Sequence, residues 1–344
     1  MEKTTLGKTG LQVTRTAFGC LPIQRISEED AVNLLKQAYD GGINFYDTAR
    51  AYTDSEHKLG LMAQQVGREN IIIATKGKAG TADEMNALLE ESLKQLDTDY
   101  VDLYQFHNPD YVPRPGDEYG GYDALLAAKQ AGKIRHIGIT AHRLDVAIEA
   151  IESGLYETLQ FPFSYLSGEP DIQLVEQCER ANMGFIAMKA LSGGLVANVP
   201  ATFTFIRQYP VVVPIYGIQR AWELEEFLAL DANPPQMDEA MQQCIEQERK
   251  EFSGNFCRGC GYCLPCPAKI EIPMAARIQF FLTRAPYKAY ISKDYQKKMQ
   301  SINRCAHCNA CSRRCPYGLD TPKLLAQQYK FYKQFVAEHA DEVE

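Results

Sequence analysis

Apolar and polar positions alternate on two different scales along the first two thirds of the chain. Between residue 16 and about residue 230, eight short apolar runs are rich in β-branched and aromatic residues, which is typical of buried strands. These runs are RTAFGC, NFYDT, IIIATK, VDLYQFH, IRHIGIT, TLQF, GFIAMKAL and VVPIYGI. The longer stretches between them, such as SEEDAVNLLKQAYDGG, place apolar residues three and four positions apart and predict amphipathic helices. Ser27 opens that stretch and is a candidate helix N-cap.

The regular alternation of strand and helix indicates parallel strands that are joined by right-handed helical crossovers. Eight such units within about 200 residues predict an α/β fold of the (β/α)8 TIM-barrel class. A doubly wound parallel sheet is the alternative. We favour it less, because no predicted strand is followed by the G-x-G-x-x-G turn that dinucleotide-binding sheets use.

Polar residues stand at the ends of consecutive predicted strands, where a TIM barrel places its active site. In chain order they are Asp47, Tyr52 in the following loop, Lys76, His107, Thr140 and Gln160. Any one of them alone could be a helix cap, a packed ring or a hydrogen-bonded core residue. A carboxylate, a phenol, an ammonium and an imidazole at successive strand ends predict an active site instead.

Composition and charge exclude several classes of function. The chain has 344 residues, of which 45% are hydrophobic, so it is long enough for one large domain and one small domain. Its formal net charge of −8 predicts a surface that repels nucleic acid and acidic membranes. The first residues, MEKTTLGKTGLQV, contain no apolar signal segment, and no window approaches the roughly 18 apolar residues of a membrane span. We therefore expect a cytoplasmic protein without nucleic-acid or membrane partners.

The segments GGINFYDTARAYTDSEHKLG, IIIATK, VDLYQFH and GKIRHIGIT resemble the aldo-keto reductase family, and the similarity extends over residues 1 to about 230. The catalytic tetrad of that family falls on Asp47, Tyr52, Lys76 and His107. The resemblance implies that Tyr52 protonates the oxygen of a small-molecule carbonyl substrate while a nicotinamide hydride attacks the carbonyl carbon.

The chemistry of these four side chains is consistent with the roles that the resemblance implies. A phenol with an ordinary pKa near 10 is a poor acid at neutral pH, and a buried lysine ammonium is expected to lower the pKa of Tyr52. Asp47 would keep Lys76 charged and oriented toward the phenol. His107 would donate a hydrogen bond to the carbonyl oxygen and so orient the substrate.

The resemblance also implies where a nicotinamide cofactor binds. Thr140 stands where family members usually carry a Ser-Asn pair that holds the carboxamide, and Gln160 occupies its expected position. The segment MKALSGGL resembles the loop that crosses the pyrophosphate, which makes Leu191 and Gly193 candidate cofactor contacts.

The segment PIYGIQRAWELEEF resembles the loop around the adenosine end of the cofactor, which adds Gly217 and Arg220 as candidate contacts. Family members that use NADPH place basic residues there to bind the 2′-phosphate. Here Arg220 is followed by the three glutamates of the segment AWELEE. Both NADPH and NADH are therefore candidate cofactors.

Eight of the eleven cysteines lie in two short runs, CRGCGYCLPCP at residues 257–267 and CAHCNACSRRCP at residues 305–316. The second run has the bacterial ferredoxin spacing C-x2-C-x2-C-x3-C-P, and the first closes with x2 in place of x3. Disulfides are disfavoured in a chain without a signal peptide, and zinc would leave the third and fourth thiolates of each run unused. The spacing therefore predicts iron–sulfur clusters, with zinc as the alternative. The remaining Cys20, Cys178 and Cys244 are expected to be packed small hydrophobic residues.

The residues between the two cysteine runs have helical character, and the region resembles the helical two-cluster ferredoxin domain of respiratory iron–sulfur subunits. In such domains the fourth cysteine of each run binds the cluster of the other run. The resemblance thus implies one cluster on Cys257, Cys260, Cys263 and Cys315, and a second cluster on Cys305, Cys308, Cys311 and Cys266. Barrel and tail together resemble the ferredoxin-type branch of the aldo-keto reductases. We expect a barrel domain at residues 1–235 and a helical iron–sulfur domain at residues 236–344.

These patterns predict an oxidoreductase that reduces carbonyl compounds with NAD(P)H and carries two [4Fe–4S] clusters. Clusters move single electrons whereas nicotinamide moves two as hydride, so we expect a ferredoxin-like electron-transfer partner. A flavin is a further candidate cofactor, because it could split the electron pair, although the chain has no flavin fingerprint. The basic runs KDYQKK and CSRRC are either solvated faces or docking sites for an acidic partner. The alternative function is an iron–sulfur redox sensor or electron-transfer module on a barrel that has lost nicotinamide-dependent catalysis.

Overall fold

The computed structural model describes residues 1–192, 196, 198–252, 256–259, 261, 263–284, 287–315 and 317–342. These residues form two compact units. The first unit comprises Met1–Leu191 and Asn198–Gln242, and the second comprises the described residues from Gln243 onward together with Ser192 and Val196. The domain limits expected from the sequence, 1–235 and 236–344, stay a prediction.

The first unit is a closed barrel of eight parallel strands, as the pattern of apolar runs predicts. Its strands are β3 (Ala17–Gly19), β4 (Phe45–Asp47), β5 (Ile72–Gly77), β6 (Val101–His107), β7 (Ile134–Thr140), β8 (Thr158–Pro162), β9 (Gly184–Met188) and β10 (Val212–Gly217). They follow one another around the barrel in chain order, and β10 pairs with β3 to close it. The (β/α)8 prediction is confirmed, and the doubly wound sheet is excluded.

One helix follows each barrel strand. The eight helices are α1 (Glu28–Asp40), α2 (Ser55–Val66), α3 (Ala82–Leu96), α4 (Gly121–Gln130), α5 (Leu144–Ser153), α6 (Glu169–Arg180), α7 (Val199–Arg207) and α8 (Ala221–Ala232). Short 3-10 turns at Pro22–Arg25 and Arg68–Asn70 precede α1 and β5. Ser27 caps α1 as predicted, because its hydroxyl accepts a hydrogen bond from the Asp30 amide at 3.1 Å.

An antiparallel hairpin precedes the barrel and was not predicted. Its strands are β1 (Lys3–Thr5) and β2 (Gln12–Thr14). Leu6 and Val13 of this hairpin are fully buried and pack with Phe45, Leu103 and other residues of the barrel strands in one hydrophobic cluster. The hairpin therefore adds apolar side chains to the core that the barrel strands form.

The C-terminal part of the chain is helical. Its helices are α9 (Glu239–Phe252), α10 (Ile272–Ala275), α11 (Ile278–Arg284), α12 (Lys288–Ile291), α13 (Lys293–Gln300), α14 (Ala310–Arg313) and α15 (Thr321–Glu338), with 3-10 turns at Ser301–Arg304 and Ala340–Glu342. The residues between the two cysteine runs are helical as expected, and their segments IPMAARIQFFLTR and YISKDYQKKMQSI are each divided between shorter helices.

The second unit has its own apolar core. Ile272, Ile278, Ile291, Met299 and Leu325 are each at most 2% exposed. Two of the predicted metal ligands, Cys257 and Cys263, belong to the same buried cluster. The cysteine segments are thus built onto a packed helical scaffold.

The three cysteines outside the two runs are placed much as expected. Cys20 and Cys178 are buried and Cys244 is half-buried. Among the helices that the structure describes, none combines the length and apolar character required to cross a membrane.

Candidate active site and iron–sulfur sites

The barrel brings the predicted active-site residues to the carboxyl ends of its strands. Asp47 is the last residue of β4, and His107 and Thr140 are the last residues of β6 and β7. The parallel register pairs His107 with Thr140 and Thr140 with Gln160, so these three residues lie level with one another. Lys76 lies one residue before the end of β5.

Asp47 and Lys76 form an ion pair that is almost completely buried. The Lys76 ammonium donates to Asp47 Oδ1 at 2.6 Å and to the Thr48 carbonyl at 2.5 Å. The two side chains are 2% and 1% exposed. Burial, the largest single cause, lowers the pKa of Lys76, but the charges of Asp47 and Tyr52 and the hydrogen bond to Asp47 together raise the pKa above its ordinary value. The lysine is therefore held as an ammonium inside the barrel.

Tyr52 and His107 lie above this pair and are only half-buried. The Lys76 nitrogen is 5.1 Å from the centroid of the Tyr52 ring. The rings of Tyr52 and His107 meet edge to face, with centroids 5.8 Å apart and planes at 83°. The structure thus brings all four residues of the predicted tetrad together at one end of the barrel.

The pKa of Tyr52 differs from the expectation. Burial raises it above its ordinary value, the Lys76 charge lowers it, and the Asp47 charge raises it again. The net direction is upward, so the lowering predicted from the sequence is not found. The main reason is burial, which disfavours the charged phenolate, and the Asp47 charge further offsets the Lys76 charge that would favour it.

His107 is held in its neutral form. Burial first, and then the Lys76 charge, lowers the pKa of His107 to about 4. At neutral pH the imidazole therefore has one ring nitrogen that donates a hydrogen bond and one that accepts.

The loop that carries Tyr52 is fixed by a buried carboxylate that sequence reasoning missed. Glu56 is 1% exposed, forms an ion pair with Arg50 and accepts a hydrogen bond from the Thr75 hydroxyl at 2.6 Å. Arg50 also donates to the Thr53 carbonyl at 3.0 Å, and its amide donates to the Lys76 carbonyl at 3.0 Å. Glu56 stands three and seven positions before the buried Leu59 and Ala63, so a charged residue in register with the apolar face of α2 was the available signal.

Gln105 is a second residue that sequence reasoning missed. It is fully buried, and its side-chain nitrogen donates to Asp47 Oδ2 at 3.4 Å and to the side-chain oxygen Oε1 of Gln160 at 3.0 Å. Strand alternation places Gln105 on the same face of β6 as His107, so a polar residue two positions before His107 was the signal.

Two predicted cofactor contacts already have partners within the protein. The side-chain nitrogen Nε2 of Gln160 donates to Asp47 Oδ1 at 3.4 Å, and Gln160 is 1% exposed. The Thr140 hydroxyl accepts from the Asn108 amide at 2.9 Å and is also buried. Both residues thus support the tetrad region, and the structure presents neither as a free group at the rim.

The other predicted cofactor contacts that the structure describes lie at or after the ends of β9 and β10. Leu191 is half-buried, Gly217 and Arg220 are exposed, and Gly193 lies outside the described residues. Glu223 accepts hydrogen bonds from the amides of Gln219 and Arg220 at 2.8 and 3.1 Å. These amides open α8, and a helix N-terminus is a common anion site, so here a carboxylate of the chain itself occupies it.

In the second unit the cysteines border two cavities whose walls are otherwise mostly apolar. Cys257, Cys263 and Cys315 line one cavity together with residues such as Ile272 and Leu324. The Gly259 amide donates to the Cys257 sulfur at 3.4 Å. Cys260, the fourth predicted ligand of this set, lies outside the described residues.

The second cavity is bordered by Cys266, Cys305, Cys308 and Cys311, and Cys263 lines both cavities. The structure thus groups Cys266 with the second run and Cys315 with the first, in the crossed arrangement implied by the ferredoxin resemblance. Within the described part of the chain, no three ligating side chains converge on one point as a single metal ion requires. A [4Fe–4S] cluster needs less convergence, because each thiolate binds a different iron. The thiols and apolar walls fit such clusters.

Comparison with known proteins agrees with both units. Residues 14–201 match the aldo/keto reductase family, and residues 256–320 match a 4Fe–4S dicluster domain. L-galactose dehydrogenase of Arabidopsis thaliana is 32% identical over an alignment 216 residues long that covers 58% of this chain and 68% of that protein. The 6-dehydroglucose reductase of Novosphingobium aromaticivorans is 34% identical over an alignment 176 residues long that covers 45% of this chain and 56% of that protein.

The solved structures show the same fold. An aldo-keto reductase from Bacillus halodurans in its holo form aligns with a TM-score of 0.63 at 20% identity, over 72% of this chain and 96% of that chain. At this identity the likeness supports the barrel fold alone. Taken with the family match, it establishes that this chain is an oxidoreductase of the aldo/keto reductase family that carries a C-terminal 4Fe–4S dicluster domain.

Proposed function

We propose that the barrel reduces the carbonyl group of a small molecule with NAD(P)H, and that Tyr52 is the acid that protonates the carbonyl oxygen. The observation that carries this proposal is the buried Asp47–Lys76 pair, whose ammonium lies 5.1 Å from the centroid of the Tyr52 ring. The Tyr52 ring in turn meets the His107 ring edge to face. When bound, the nicotinamide would supply a hydride to the carbonyl carbon.

Each of the four tetrad residues has its own role in the proposed reduction. Tyr52 gives its phenolic proton to the oxygen, and the ammonium of Lys76 stabilises the phenolate that remains. Asp47 keeps Lys76 charged and oriented, while Gln105 and Gln160 hold Asp47. His107 is neutral, so it donates one hydrogen bond to the carbonyl oxygen without competing as an acid.

Leu191, Gly193, Gly217 and Arg220 remain the candidate contacts of the cofactor. Thr140 and Gln160 would have to share their present partners with the carboxamide. We propose NADH as the better of the two cofactors, because a 2′-phosphate near the start of α8 would meet the carboxylate of Glu223. Neither family match supports a flavin, so the proposal does not include one.

The eight cysteines of the two runs would hold two [4Fe–4S] clusters, which supply single-electron chemistry. We propose that they exchange electrons with a redox partner protein in the cytoplasm. We expect the clusters to load and to be reduced without Tyr52, because the thiols belong to a different compact unit of the chain from the tetrad.

The Tyr52→Phe variant tests the proposed reduction. The change removes one hydroxyl and leaves the ring, so reduction of aldehydes and ketones should fall by about 10²-fold or more. The rate is measured with NADH and NADPH on a panel that includes sugar carbonyls, because the names of two relatives refer to sugar substrates. NADH should give the higher kcat/KM.

Two controls accompany this variant. Its visible cluster absorption and the rate at which dithionite bleaches that absorption should equal those of the unmodified protein. Full activity of Tyr52→Phe would refute the proposed acid. Failure of the unmodified protein to bind either nicotinamide would instead favour the redox-sensor alternative.

A further inference from the structure

The two cysteine segments carry a charge opposite to that of the whole chain. Residues 256–270 and 304–319 contain five basic residues and no acidic residue, whereas the chain has a formal net charge of −8. The basic residues are Arg258, Lys269, Arg304, Arg313 and Arg314. A local concentration of one sign of charge attracts partners of the opposite sign.

Four of these cations are exposed, namely Lys269, Arg304, Arg313 and Arg314. Two of them are held in place by neutral groups. The Arg313 guanidinium donates to the Cys308 carbonyl at 3.1 Å, and the Arg314 guanidinium donates to the Pro265 carbonyl at 3.2 Å. Among the described residues none of the four cations forms an ion pair, so their charges are not compensated locally.

Cys308 lies at the surface of this same region. It is exposed, whereas the other described cysteines of the two runs are buried or half-buried. The cavity bordered by Cys266, Cys305, Cys308 and Cys311 therefore reaches the surface at the Cys308 segment, which Arg313 contacts. Electron transfer weakens steeply with distance, so an exposed cluster ligand is a favourable point of approach for a protein that delivers electrons.

We propose that the surface formed by Lys269, Arg304, Cys308, Arg313 and Arg314 is the docking face for an acidic one-electron carrier protein. The inference rests on the two clusters of the proposed function and adds the face and the charge of the partner. In each encounter one electron passes from the reduced carrier to the oxidised cluster at this face. The carrier is oxidised by one electron, the cluster is reduced by one, and no bond or proton changes place.

The test is the affinity of an oxidised acidic [2Fe–2S] ferredoxin for the oxidised, cluster-loaded protein. With both proteins oxidised no electron moves, so affinity is measured without any effect of redox potential. In the Lys269→Glu/Arg304→Glu variant the dissociation constant should rise by about tenfold or more at low ionic strength. The difference should shrink at high ionic strength. Calorimetry or surface plasmon resonance gives the dissociation constants.

The matched control is Lys293→Glu/Lys330→Glu. It makes the same charge change on exposed residues of α13 and α15, outside both cysteine segments. It should bind ferredoxin as the unmodified protein does. Cytochrome c, a basic carrier, should bind more tightly to Lys269→Glu/Arg304→Glu than to the unmodified protein.

Neither Lys269 nor Arg304 donates a side-chain hydrogen bond within the described chain, so the first variant should keep its visible cluster absorption. If it does not, Lys269→Gln/Arg304→Gln provides the same test with a smaller expected rise. Unchanged ferredoxin affinity in a cluster-loaded variant, or an equal loss in the control, would overturn the docking face.

The test also separates this inference from the proposed carbonyl reduction. Tyr52→Phe should bind ferredoxin with unchanged affinity. A protein that reduces no carbonyl but loses ferredoxin affinity on charge reversal would refute the reduction and leave the docking face standing.

Discussion

Charged and reactive groups have opposite surroundings in the first unit, here called the barrel unit, and in the second unit, here called the cluster unit. In the barrel, the ammonium of Lys76 and the carboxylate of Asp47 are buried and compensate each other. In the cluster unit, thiols border cavities with apolar walls, and Arg313 and Arg314 stay exposed and, among the described residues, donate only to carbonyl oxygens. The chain alone therefore compensates the buried charges of the barrel site, whereas metal has to complete the cluster sites.

This difference predicts how each unit responds to the loss of one side chain. A buried ion pair is costly to break, because removal of one partner leaves the other as a charge without compensation. We expect one cluster site to keep its metal when a thiol that borders the other cavity is removed, because the two sets of thiols border different cavities.

The largest effect is expected from Lys76→Met. It should lower the free energy of unfolding of the barrel unit by about 3–5 kcal/mol, because Asp47 stays buried without its partner. The deficit should be larger at pH 8 than at pH 5. Burial raises the pKa of Asp47 even beside Lys76, so without the lysine the folded state binds a proton more readily than the unfolded state and gains stability as the pH falls.

The measurement is denaturant unfolding followed by the fluorescence of Trp222, the single tryptophan, which lies on α8 of the barrel unit. The double variant Asp47→Asn/Lys76→Met is the matched control and should recover most of the lost stability. A single variant as stable as the unmodified protein, or a double variant as unstable as the single one, would contradict the account of the pair.

A smaller effect, about a twofold loss of iron, is expected from Cys315→Ser. The unmodified protein should hold about eight iron and eight sulfide per chain, and this variant about four of each. The reason is that Cys315 borders the cavity of Cys257 and Cys263 and not that of Cys305 and Cys308.

Two double variants then test the crossed arrangement. Cys315→Ser/Cys257→Ser should keep about four iron, because both changes affect one cluster, whereas Cys315→Ser/Cys305→Ser should lose nearly all iron. The opposite pattern would mean that each run holds its own cluster. Stoichiometric zinc in the unmodified protein would refute the iron–sulfur clusters altogether.

The barrel could be predicted from the sequence because its signal is local and repeated. Each of the eight strands is a short apolar run, and parallel strands bring all their carboxyl ends to one rim. Asp47, Lys76 and His107 could therefore be placed together without knowledge of any side-chain contact. The hairpin β1–β2 escaped prediction because its strands, KTT and QVT, have only three residues each and little apolar character.

Side-chain partners could not be predicted in the same way. That Gln105 contacts Asp47 depends on the level at which β4 and β6 meet inside the closed barrel, and that Gln160 points to the same carboxylate depends on packing. The pKa of Tyr52 depends on how deeply the ring is buried and on how far Asp47 offsets Lys76, which spacing alone does not reveal. For the clusters, spacing identified the ligands, and the resemblance to two-cluster ferredoxin domains already implied the crossed division that the two cavities follow.

The central claim of this account is that the hydrogen added to the carbonyl carbon comes from nicotinamide and not from solvent through the clusters. The most direct test supplies NADH that carries deuterium on the transferring face of C4, in ordinary water, to the cluster-loaded protein with a carbonyl substrate that it reduces. Mass spectrometry of the product alcohol should find one deuterium on the carbinol carbon, and the reverse labelling, ordinary NADH in heavy water, should find none there. Product without deuterium from the first experiment and with deuterium from the second would show that electrons reach the substrate without hydride transfer, and would contradict the proposed function.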